Sequence, residues 1–587
     1  MKRRLIGQLK HQPIAVAHHK PSMTVSSNTF SRIGLFFMLS ALALALGIPL
    51  AAALGHAGVQ GASHHAWDTL LRHPSTGTAL LLSLITSLVS VAACVGLAKW
   101  LVFYLWVASG QTNRSWQRFT RWLPVMLAMP HVAFAIGIVW LIAPSGWLVR
   151  VVSPGLTGWQ WPPDWPLVND AFGLGLCAVL IGKELPFLLW SLATQLQRPD
   201  MQQTLSRAMT TATCLGYSPR QTWQRIMWPM LLPKLGWPLM AMFAYGISQV
   251  DMALVVGPNQ PPTLAVLAWQ WLQDPDPRMA SAGIAAAWLL SVAGAACAFL
   301  TWLAMRWQGW QRLNTRGHHN FSNHVQTGAG HTTHQHKSAV AFWRGFSGVY
   351  VAIVLALATA SLTLYWPFPN VWPQQWHWGA WAQALISSEA LGTTCSLASM
   401  SSIAAMLWTL AWLEAAPPRL ELAIRPALYG LLVLPPVLWL SGLHQAATVV
   451  GIDASWVGVG AAHTLAVLPY TVLMLSPAYL SFDQRLSWVS TSLGVPTWRY
   501  LLGVKWPMLK TAILNAWAVG FAVSVAQYLP TQMLGAGRVT TITTEAVTLA
   551  SGGQRDTASA FGLLQIVLPA VAFGLAHVWA KRTPYTY

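Results

Sequence analysis

Ionisable and amide side chains interrupt the long apolar runs of this sequence at only a few positions. Lys183 and Glu184 are adjacent in the middle of one run, and Gln249 and Asp251 lie near the end of the next. Charged groups are costly inside a membrane, so those that occur there are expected to face a water-filled path or a partner group. Adjacent helical residues point about 100° apart, so Lys183 and Glu184 do not simply neutralise each other. These positions and Gln527 are candidates for a solute path, and structural bonds to neighbouring helices are the alternative for Lys183 and Glu184.

The remaining reactive residue types show no catalytic pattern, and the cysteines indicate no metal site. The five cysteines show no CxxC spacing, and no His, Asp and Glu group has the spacing of an intramembrane enzyme. The chain has no GxxxxGK[ST] phosphate loop, so it is predicted not to be an enzyme and to hold no cofactor. Histidines concentrate in a polar stretch at 306–345, which is either a flexible linker or a metal-binding tract. They include His318, His319, His324, His331, His334 and His336.

The apolar runs predict an all-α polytopic membrane protein. Of the 587 residues, 55% are hydrophobic and 8% are charged, whereas soluble proteins carry about 25% charged residues. Each run is near the ~20 residues that a helix needs to cross the hydrocarbon, which gives about 12 transmembrane helices. The predicted spans are 33–54, 79–106, 122–144, 172–195, 231–256, 281–305, 346–366, 390–413, 426–449, 457–480, 512–534 and 559–580.

Basic residues are distributed unevenly between the segments that join these spans. If the N-terminus is cytoplasmic, most of the 34 Lys and Arg fall in cytoplasmic segments, as the positive-inside rule requires. This distribution accounts for the formal net charge of +19 without a nucleic-acid partner. It predicts a multi-pass protein of the bacterial inner membrane, surrounded by lipid, with both termini cytoplasmic. The outer loops hold Arg72, Arg150, Arg278, Arg538 and Arg555.

The two halves of the chain are repeats of each other. At one constant offset Trp228-Pro229-Met230-Leu231 falls on Trp506-Pro507-Met508-Leu509, and Gln249 falls on Gln527. Isolated residues that match in register indicate an internal duplication, here two parallel six-helix repeats related by an axis along the membrane normal. The predicted organisation is a basic arm at 1–32, a first repeat at 33–305, a His-rich linker at 306–345, a second repeat at 346–580 and a cytoplasmic tail at 581–587.

A matched segment follows the fourth predicted span of each half. Gly216 precedes Pro229 in the first half, and Gly494 precedes Pro507 by the same separation in the second. Glycine permits the positive φ that ends a helix, and proline suits the first turn of the next one. Each segment is therefore predicted to be a helix, a break at glycine and a short second helix at the cytoplasmic mouth.

The short helices are predicted to present apolar faces. Trp223 and Ile226 stand at helical spacing in the first segment, as do Leu501 and Val504 in the second. An apolar face of this kind suits a groove on a soluble partner. An ordinary amphipathic helix at the membrane surface is the alternative.

Both segments resemble the EAA loops of permeases from binding-protein-dependent ABC importers, whose pattern is EAA, three residues, Gly, and Leu-Pro thirteen residues later. The resemblance covers both halves, including Leu185-Pro186-Phe187 and Leu468-Pro469-Tyr470 before each loop. Two halves in one chain are similar to the fused thiamine and ferric-iron permeases, and the stretch from Ala526 to Gly553 looks most like the YnjC-type permeases.

The resemblance implies the type I ABC importer permease fold and alternating access for a small solute. It also implies an ABC ATPase dimer that carries ATP and Mg²⁺ on the cytoplasmic side, and a periplasmic substrate-binding protein. This chain has Thr210 and Trp488 where the family has its signature Glu, and only Ala212 keeps an alanine. The ATPase contact is therefore expected to depend on the apolar faces and the loop geometry, with the first loop the more sensitive.

An ion-coupled secondary transporter of twelve helices is the competing interpretation, since such carriers also have parallel halves. It would place its coupling ions on buried carboxylates, for which only Glu184 and Asp251 are available. The transported substrate is not defined by the sequence, although acidic lining on one side would suit a cation.

Overall fold

Residues 62–108, 114–165, 167–306, 328–415 and 428–581 are described by a computed structural model of the chain. The helices of the first repeat are α1 (Ala62–Arg72), α2 (Ser75–Val102), α3 (Arg114–Ala128), α4 (His131–Ile142), α5 (Trp147–Val152), α6 (Leu174–Gln197), α7 (Pro199–Cys214), α8 (Pro219–Thr222), α9 (Trp228–Leu231), α10 (Gly236–Ser248), α11 (Asp251–Val256), α12 (Leu264–Leu272) and α13 (Pro277–Arg306).

The second repeat follows the same order from its loop onward, and before the loop it has a hairpin that the described part of the first repeat lacks. It contains α14 (Gly328–Ser361), a hairpin of β1 (Thr363–Tyr365) and β2 (Gln375–Trp376), α15 (Gly379–Ile386), α16 (Ser388–Ala415), α17 (Pro436–Val450), α18 (Trp456–Leu480), α19 (Arg485–Ser492), α20 (Thr497–Tyr500), α21 (Trp506–Met508), α22 (Lys510–Val525), α23 (Leu529–Gly535), α24 (Ile542–Ser551) and α25 (Arg555–Lys581). The strands are antiparallel, with Thr363 opposite Trp376.

Within the described ranges, nine helices are long and apolar enough to cross a membrane. A tenth span results if Thr497–Met508 and Lys510–Val525, which are bent by 78° at a short break, are counted together. The prediction of an all-α polytopic membrane protein is confirmed. The predicted span 33–54 lies outside the described residues, and of 426–449 the structure describes helical residues at 428–433 and, after a break at 434–435, a helix that begins at Pro436. Helix α14 begins at Gly328, within the stretch predicted to be a linker.

A pair of matched hydrogen bonds shows the duplication in three dimensions. In the first repeat the backbone N–H of Leu264 donates to Ser83 Oγ across 2.8 Å. In the second, the backbone N–H of Ile542 donates to Thr394 Oγ1 across 2.9 Å. Leu264 and Ile542 are the first residues of α12 and α24, whose first N–H groups have no acceptor within the helix. A hydroxyl from α2 or α16 supplies that acceptor in each repeat.

The two repeats pack together through reciprocal helix contacts. Helix α4 of the first repeat packs against α24 and α25 of the second, and α17 of the second packs against α12 and α13 of the first. In addition, α14 crosses over and packs along α4. The interface therefore has an approximate two-fold relation, with the central helix of each repeat held by the last two helices of the other.

Contacts at the helix ends place both Gly-containing loops on one side of the molecule, called here the loop end. Trp223 Nε1 donates to the carbonyl of Lys99 at the end of α2, and His336 Nδ1 lies 2.9 Å from the carbonyl oxygen of nearby Tyr104. Helix α14 thus starts at the loop end and runs away from it. Helix α16 returns, and Glu414 near its end binds Lys505 of the second loop.

Arg150 fastens the two repeats at the opposite end. Its guanidinium is buried and donates to the carbonyl of Ser145 and to three carbonyls of the segment after α14, those of Trp366, Pro367 and Asn370, over 2.8–3.0 Å. The same group lies 4.7 Å from the centre of the Trp366 ring. These bonds satisfy most of the guanidinium donors without a carboxylate.

Candidate functional site

The first loop begins where α7 ends at a left-handed glycine. Gly216 has φ +80°, and its N–H donates to the carbonyl of Thr213 across 3.0 Å. The N–H of Tyr217 donates to the carbonyl of Ala212, also across 3.0 Å. This pair of bonds is the Schellman motif, which occupies carbonyls that a helix end leaves free. Ala212 is buried under the turn.

The second loop repeats this geometry. Gly494 has φ +67°, with Gly494 N–H bound to Thr491 and Val495 N–H bound to Ser490 over 3.1 and 3.0 Å. A Cβ added to either glycine would meet no atom within 4 Å. Glycine is therefore required here by the backbone conformation and not by lack of space, as the sequence predicts.

The chain after each glycine also matches. A short helix, α8 or α20, leads into a π-helical turn at Trp223–Met227 or Leu501–Lys505, and then into α9 or α21. Pro229 and Pro507 lie inside helices that continue from the π-turns without a break, so neither proline begins a new helix, contrary to the sequence prediction. Isolated π-turns are uncommon and often occur at functional sites, and here they fall at equivalent positions of the repeats.

Trp223 and Leu501, one residue of each predicted apolar face, are buried, which corrects the prediction for these two residues. Trp223 is only 1% exposed and Leu501 only 3%. The Trp223 indole reaches the end of α2, where Nε1 donates to Lys99 O across 3.1 Å. Helical spacing identifies which residues share a face but not whether that face points to solvent. Here Trp223 packs into the apolar interior of the protein. Ile226 is half-buried and Val504 is exposed.

Other apolar residues of the loops are exposed instead. Leu215, the residue before Gly216, is 67% exposed, and its counterpart Leu493 is 73% exposed. Around Leu493 the second loop adds a broad exposed apolar surface, whereas polar side chains surround Leu215. We call this surface of the second loop the apolar loop face. Its exposed members are Trp488, Val489, Leu493, Val495, Trp498, Leu502 and Val504.

Charged groups hold each loop to the body of its repeat. In the second repeat Lys505 Nζ lies 2.6 Å from Glu414 Oε2, and the Tyr479 hydroxyl donates to the same carboxylate. In the first, the Lys99 ammonium lies 5.8 Å from the centre of the Trp228 ring. Both arrangements join a loop to the end of the equivalent helix, α16 or α2. Movement of a loop is thereby linked to movement of that helix.

Inside the first repeat, Lys183 is engaged by backbone carbonyls. Its Nζ donates to Met129 O across 2.6 Å and to Met126 O across 3.3 Å. These carbonyls lie where α3 ends before Pro130, so the ammonium satisfies acceptors that the helix end leaves free. The structural alternative therefore describes Lys183. Glu184 is 8% exposed and accepts no hydrogen bond from the described residues.

The helix that carries Gln249 and Asp251 is broken between these residues. Helix α10 ends at Ser248 and α11 begins at Asp251, with Gln249 extended in the gap. The second repeat breaks at the same place, since α22 ends at Val525 and α23 begins at Leu529, on either side of Gln527. Discontinuous helices at the repeat interface are typical of transporter binding sites.

The paired glutamines differ in their bonds. Gln527 Nε2 donates to Val523 O across 3.2 Å. Gln249 is 8% exposed, and its Oε1 has no hydrogen-bond partner among the described residues. An unpaired buried amide oxygen is unusual in a folded protein, so Gln249 has unused hydrogen-bonding capacity.

Several polar residues near Glu184 did not stand out in the sequence. His131 begins α4, and its ring lies 4.9 Å from that of Tyr245. Tyr245 of the first repeat and Tyr470 of the second lie in the neighbourhood of Glu184. In the sequence, Tyr470 stood out only as the last residue of the Leu-Pro-Tyr triplet. His131 and Tyr245 carried no such signal.

Comparison with known proteins identifies relatives of the whole chain. It is 32% identical over 559 residues to the inner membrane ABC transporter permease protein YnjC of Escherichia coli (strain K12), covering 94% of this chain and 98% of that protein. A probable sulfate transport system permease protein, cysT of Chlorokybus atmophyticus, is 32% identical over 92 residues, which are 15% of this chain and 31% of that protein. No family model and no solved structure matches. With its duplicated membrane-spanning helices and a relative that it matches from end to end, the chain belongs to the ABC transporter permeases and is a transmembrane permease subunit.

Proposed function

We propose that this permease is the membrane subunit of an ATP-driven importer in the bacterial inner membrane. The observation that carries the proposal is the pair of matched loops at one end of the molecule, each with a Schellman turn, a π-helical turn and an exposed leucine. Two equivalent loops suit a partner with two equivalent grooves, which is what an ATPase dimer offers. The comparisons do not favour the ion-coupled carrier.

The loop end is assigned to the cytoplasm. The uneven distribution of Lys and Arg supports this orientation, and both termini are then cytoplasmic. ATP and Mg²⁺ would bind the partner ATPase, since the chain contains no phosphate-loop sequence. The apolar loop face and Leu215 would supply the contact that the family's signature Glu supplies elsewhere.

A periplasmic binding protein would deliver the solute at the opposite end. Exposed tryptophans there, among them Trp161, Trp376 and Trp378, provide large apolar areas that suit a protein contact. Alternating access would follow from rocking of the repeats about the interface built by α4 and α17. The broken helices at Gln249 and Gln527 lie where a solute would pass between them.

Reconstitution tests the proposal. The full chain in lipid nanodiscs should show no ATP hydrolysis, and addition of its ATPase subunit should give hydrolysis that is stimulated by solute-loaded binding protein. Leu493→Ser should weaken ATPase binding, with Leu364→Ser, an exposed leucine in β1 at the opposite end, as the matched control. Hydrolysis by the chain alone, or solute uptake driven by an ion gradient without ATP, would contradict the proposal.

Cysteine labelling tests the orientation separately. With the native cysteines replaced by serine, an impermeant thiol reagent added to intact cells should label Gln375→Cys and leave Ser492→Cys unlabelled. Both positions are exposed, so accessibility depends on the side of the membrane. The reverse pattern would place the loops outside and exclude a cytoplasmic ATPase.

A further inference from the structure

The two loops share one backbone conformation. Each ends a helix at a glycine with positive φ, Gly216 or Gly494, and each then passes through a π-helical turn, Trp223–Met227 or Leu501–Lys505. Residues that match at the constant offset between the repeats therefore occupy equivalent places on the two loops. A difference between equivalent side chains is consequently a difference in chemistry and not in backbone geometry.

The exposed side chains at equivalent places differ in polarity. Trp488, Trp498 and Leu502 of the second loop are each more than half exposed. The equivalent residues of the first loop are exposed as well, but they are polar: Thr210, Arg220 and Gln224. The apolar loop face thus has no apolar counterpart on the first loop.

The exposed leucine that both loops share has different neighbours. The N–H of Leu493 donates to the carbonyl of Val489 across 3.1 Å, so exposed Val489 lies one helical turn before this leucine. The N–H of Leu215 donates in the same way to the carbonyl of Thr211, also across 3.1 Å. A partner that covers Leu493 therefore covers further apolar area, whereas a partner that covers Leu215 meets threonine.

The membrane surface is the other material that could cover an apolar face. Repeats related by an axis along the membrane normal hold equivalent residues at equal depth. At the depth of the apolar loop face the first loop exposes side chains that suit water, among them Thr210, Arg220 and Gln224. The apolar loop face therefore lies in the aqueous layer outside the bilayer, where an exposed apolar surface marks a protein contact.

We propose that the loops are unequal docking sites, with the apolar loop face holding one ATPase subunit tightly and the first loop contacting the other weakly. The inference rests on the proposed function and states how its ATPase dimer is held. A dimer of identical subunits presents the same groove twice. A groove that accepts Trp488 and Trp498 is apolar, and on the first loop the same groove meets Thr210 and Arg220, whose polar groups lose water without gaining a partner.

This order is the reverse of the one expected from the family signature, which favoured the first loop. The signature residue kept there is Ala212, and Ala212 is buried under the Schellman turn. It offers no surface to a partner. The exposed side chains, and not the kept alanine, therefore decide which loop binds more strongly.

The shared leucine gives a matched test, with the purified ATPase subunit titrated against the full chain in lipid nanodiscs. Leu493→Ser should raise the Kd for the ATPase at least about tenfold, because it interrupts a cluster of apolar anchors. Leu215→Ser should raise it by no more than about threefold. Both residues are exposed, so the Tm of both variants should stay at the wild-type value. Equal increases in Kd, or a larger increase for Leu215→Ser, would overturn the inference.

An exchange of side chains tests polarity directly. Trp488→Thr, Trp498→Arg and Leu502→Gln together give the second loop the residues of the first, and this variant should bind the ATPase at least about tenfold more weakly. Adding Arg220→Trp and Gln224→Leu in the first loop should restore binding. Wild-type affinity after the first exchange, or no recovery after the second, would show that polarity does not set the order.

A fluorescent label at Val495→Cys, with the native cysteines replaced by serine, reports what covers the apolar loop face. Iodide in the buffer should quench a bimane label at this exposed position, and bound ATPase should protect it. Quenching by lipids brominated in their acyl chains would place the face on the membrane and overturn the inference. If the wild type binds ATPase equally through both loops, only this inference fails, whereas a wild type that binds no ATPase overturns the proposed function as well.

Discussion

The two left-handed glycines make the loop geometry open to a direct test. Replacing Gly216 or Gly494 with valine leaves the surroundings untouched, since nothing lies within 4 Å of the added Cβ. The effect therefore isolates the backbone conformation. Asparagine at the same positions is the matched comparison, because its side chain tolerates positive φ better than a β-branched one.

The expected magnitude follows from two alternatives available to the valine variant. Keeping φ near +80° or +67° costs an L-residue about 1–2 kcal/mol. Releasing the turn instead loses two hydrogen bonds of about 0.5–1.5 kcal/mol each. If the turn is released in the free permease, binding must restore it at a cost of up to about 1–2 kcal/mol, which corresponds to an up to 5- to 30-fold weaker Kd for the ATPase.

The assay is a binding titration of the purified ATPase subunit against the permease in nanodiscs. Gly574→Val is the control outside the loops, because Gly574 in α25 also has open space at Cβ but no positive φ. We expect the order wild type, Gly494→Asn, Gly494→Val in increasing Kd, with Gly574→Val near wild type. If Gly574→Val is as weak as Gly494→Val, or if valine at Gly216 and at Gly494 leaves Kd at the wild-type value, the reasoning from backbone geometry is wrong.

Three further predictions concern packing and buried bonds, measured by thermal unfolding in detergent. Trp223→Ala should destabilise the permease by about 3–5 kcal/mol, because a buried indole is lost. Leu215→Ala should instead weaken ATPase binding at unchanged Tm. If Trp223→Ala weakened ATPase binding at unchanged Tm and Leu215→Ala destabilised the permease, Trp223 would be the docking residue. Lys183→Met should cost about 1–3 kcal/mol because buried carbonyls lose their donor, and an unchanged Tm would refute that role. Ser83→Ala and Thr394→Val should each cost about 1–3 kcal/mol, because each leaves a helix N–H without its acceptor. Their effects should add within about 0.5 kcal/mol because the two residues act in separate repeats. Destabilisation by only one of the two variants would argue against equivalent roles.

The sequence predicts the helical membrane class and the duplication well, because both depend on patterns that repeat along the chain. Hydropathy shows where a helix can cross a membrane, and the match of Gln249 with Gln527 shows the register of the repeats. Positive φ at Gly216 and Gly494 was predictable because few other residue types end a helix in that way.

Other features depend on contacts between distant segments and were not predictable. Whether Trp223 points inward or outward depends on whether the end of α2 lies beside it, which the local sequence does not show. The helix break at Gln249 has no glycine or proline beside it, whereas Pro530 in the first turn of α23 was a sign of the break at Gln527. The pairing of Arg150 with the carbonyls of Trp366 and Pro367 is a property of the assembled end of the molecule. These are tertiary effects, for which local sequence patterns carry no signal.

The cross-over of α14 and the Arg150 bonds change what is expected to move as one piece. Helix α14 packs along α25 of its own repeat and also along α4 of the first repeat, and Arg150 binds the segment that follows it. The beginning of the second repeat is therefore held by both repeats. The sequence boundary between the repeats is thus not a boundary between separately moving parts. If the chain is divided before α14 and the two parts are expressed separately, they should still assemble. The packing of α14 on α4 and the Arg150 hydrogen bonds hold the parts together without the covalent connection.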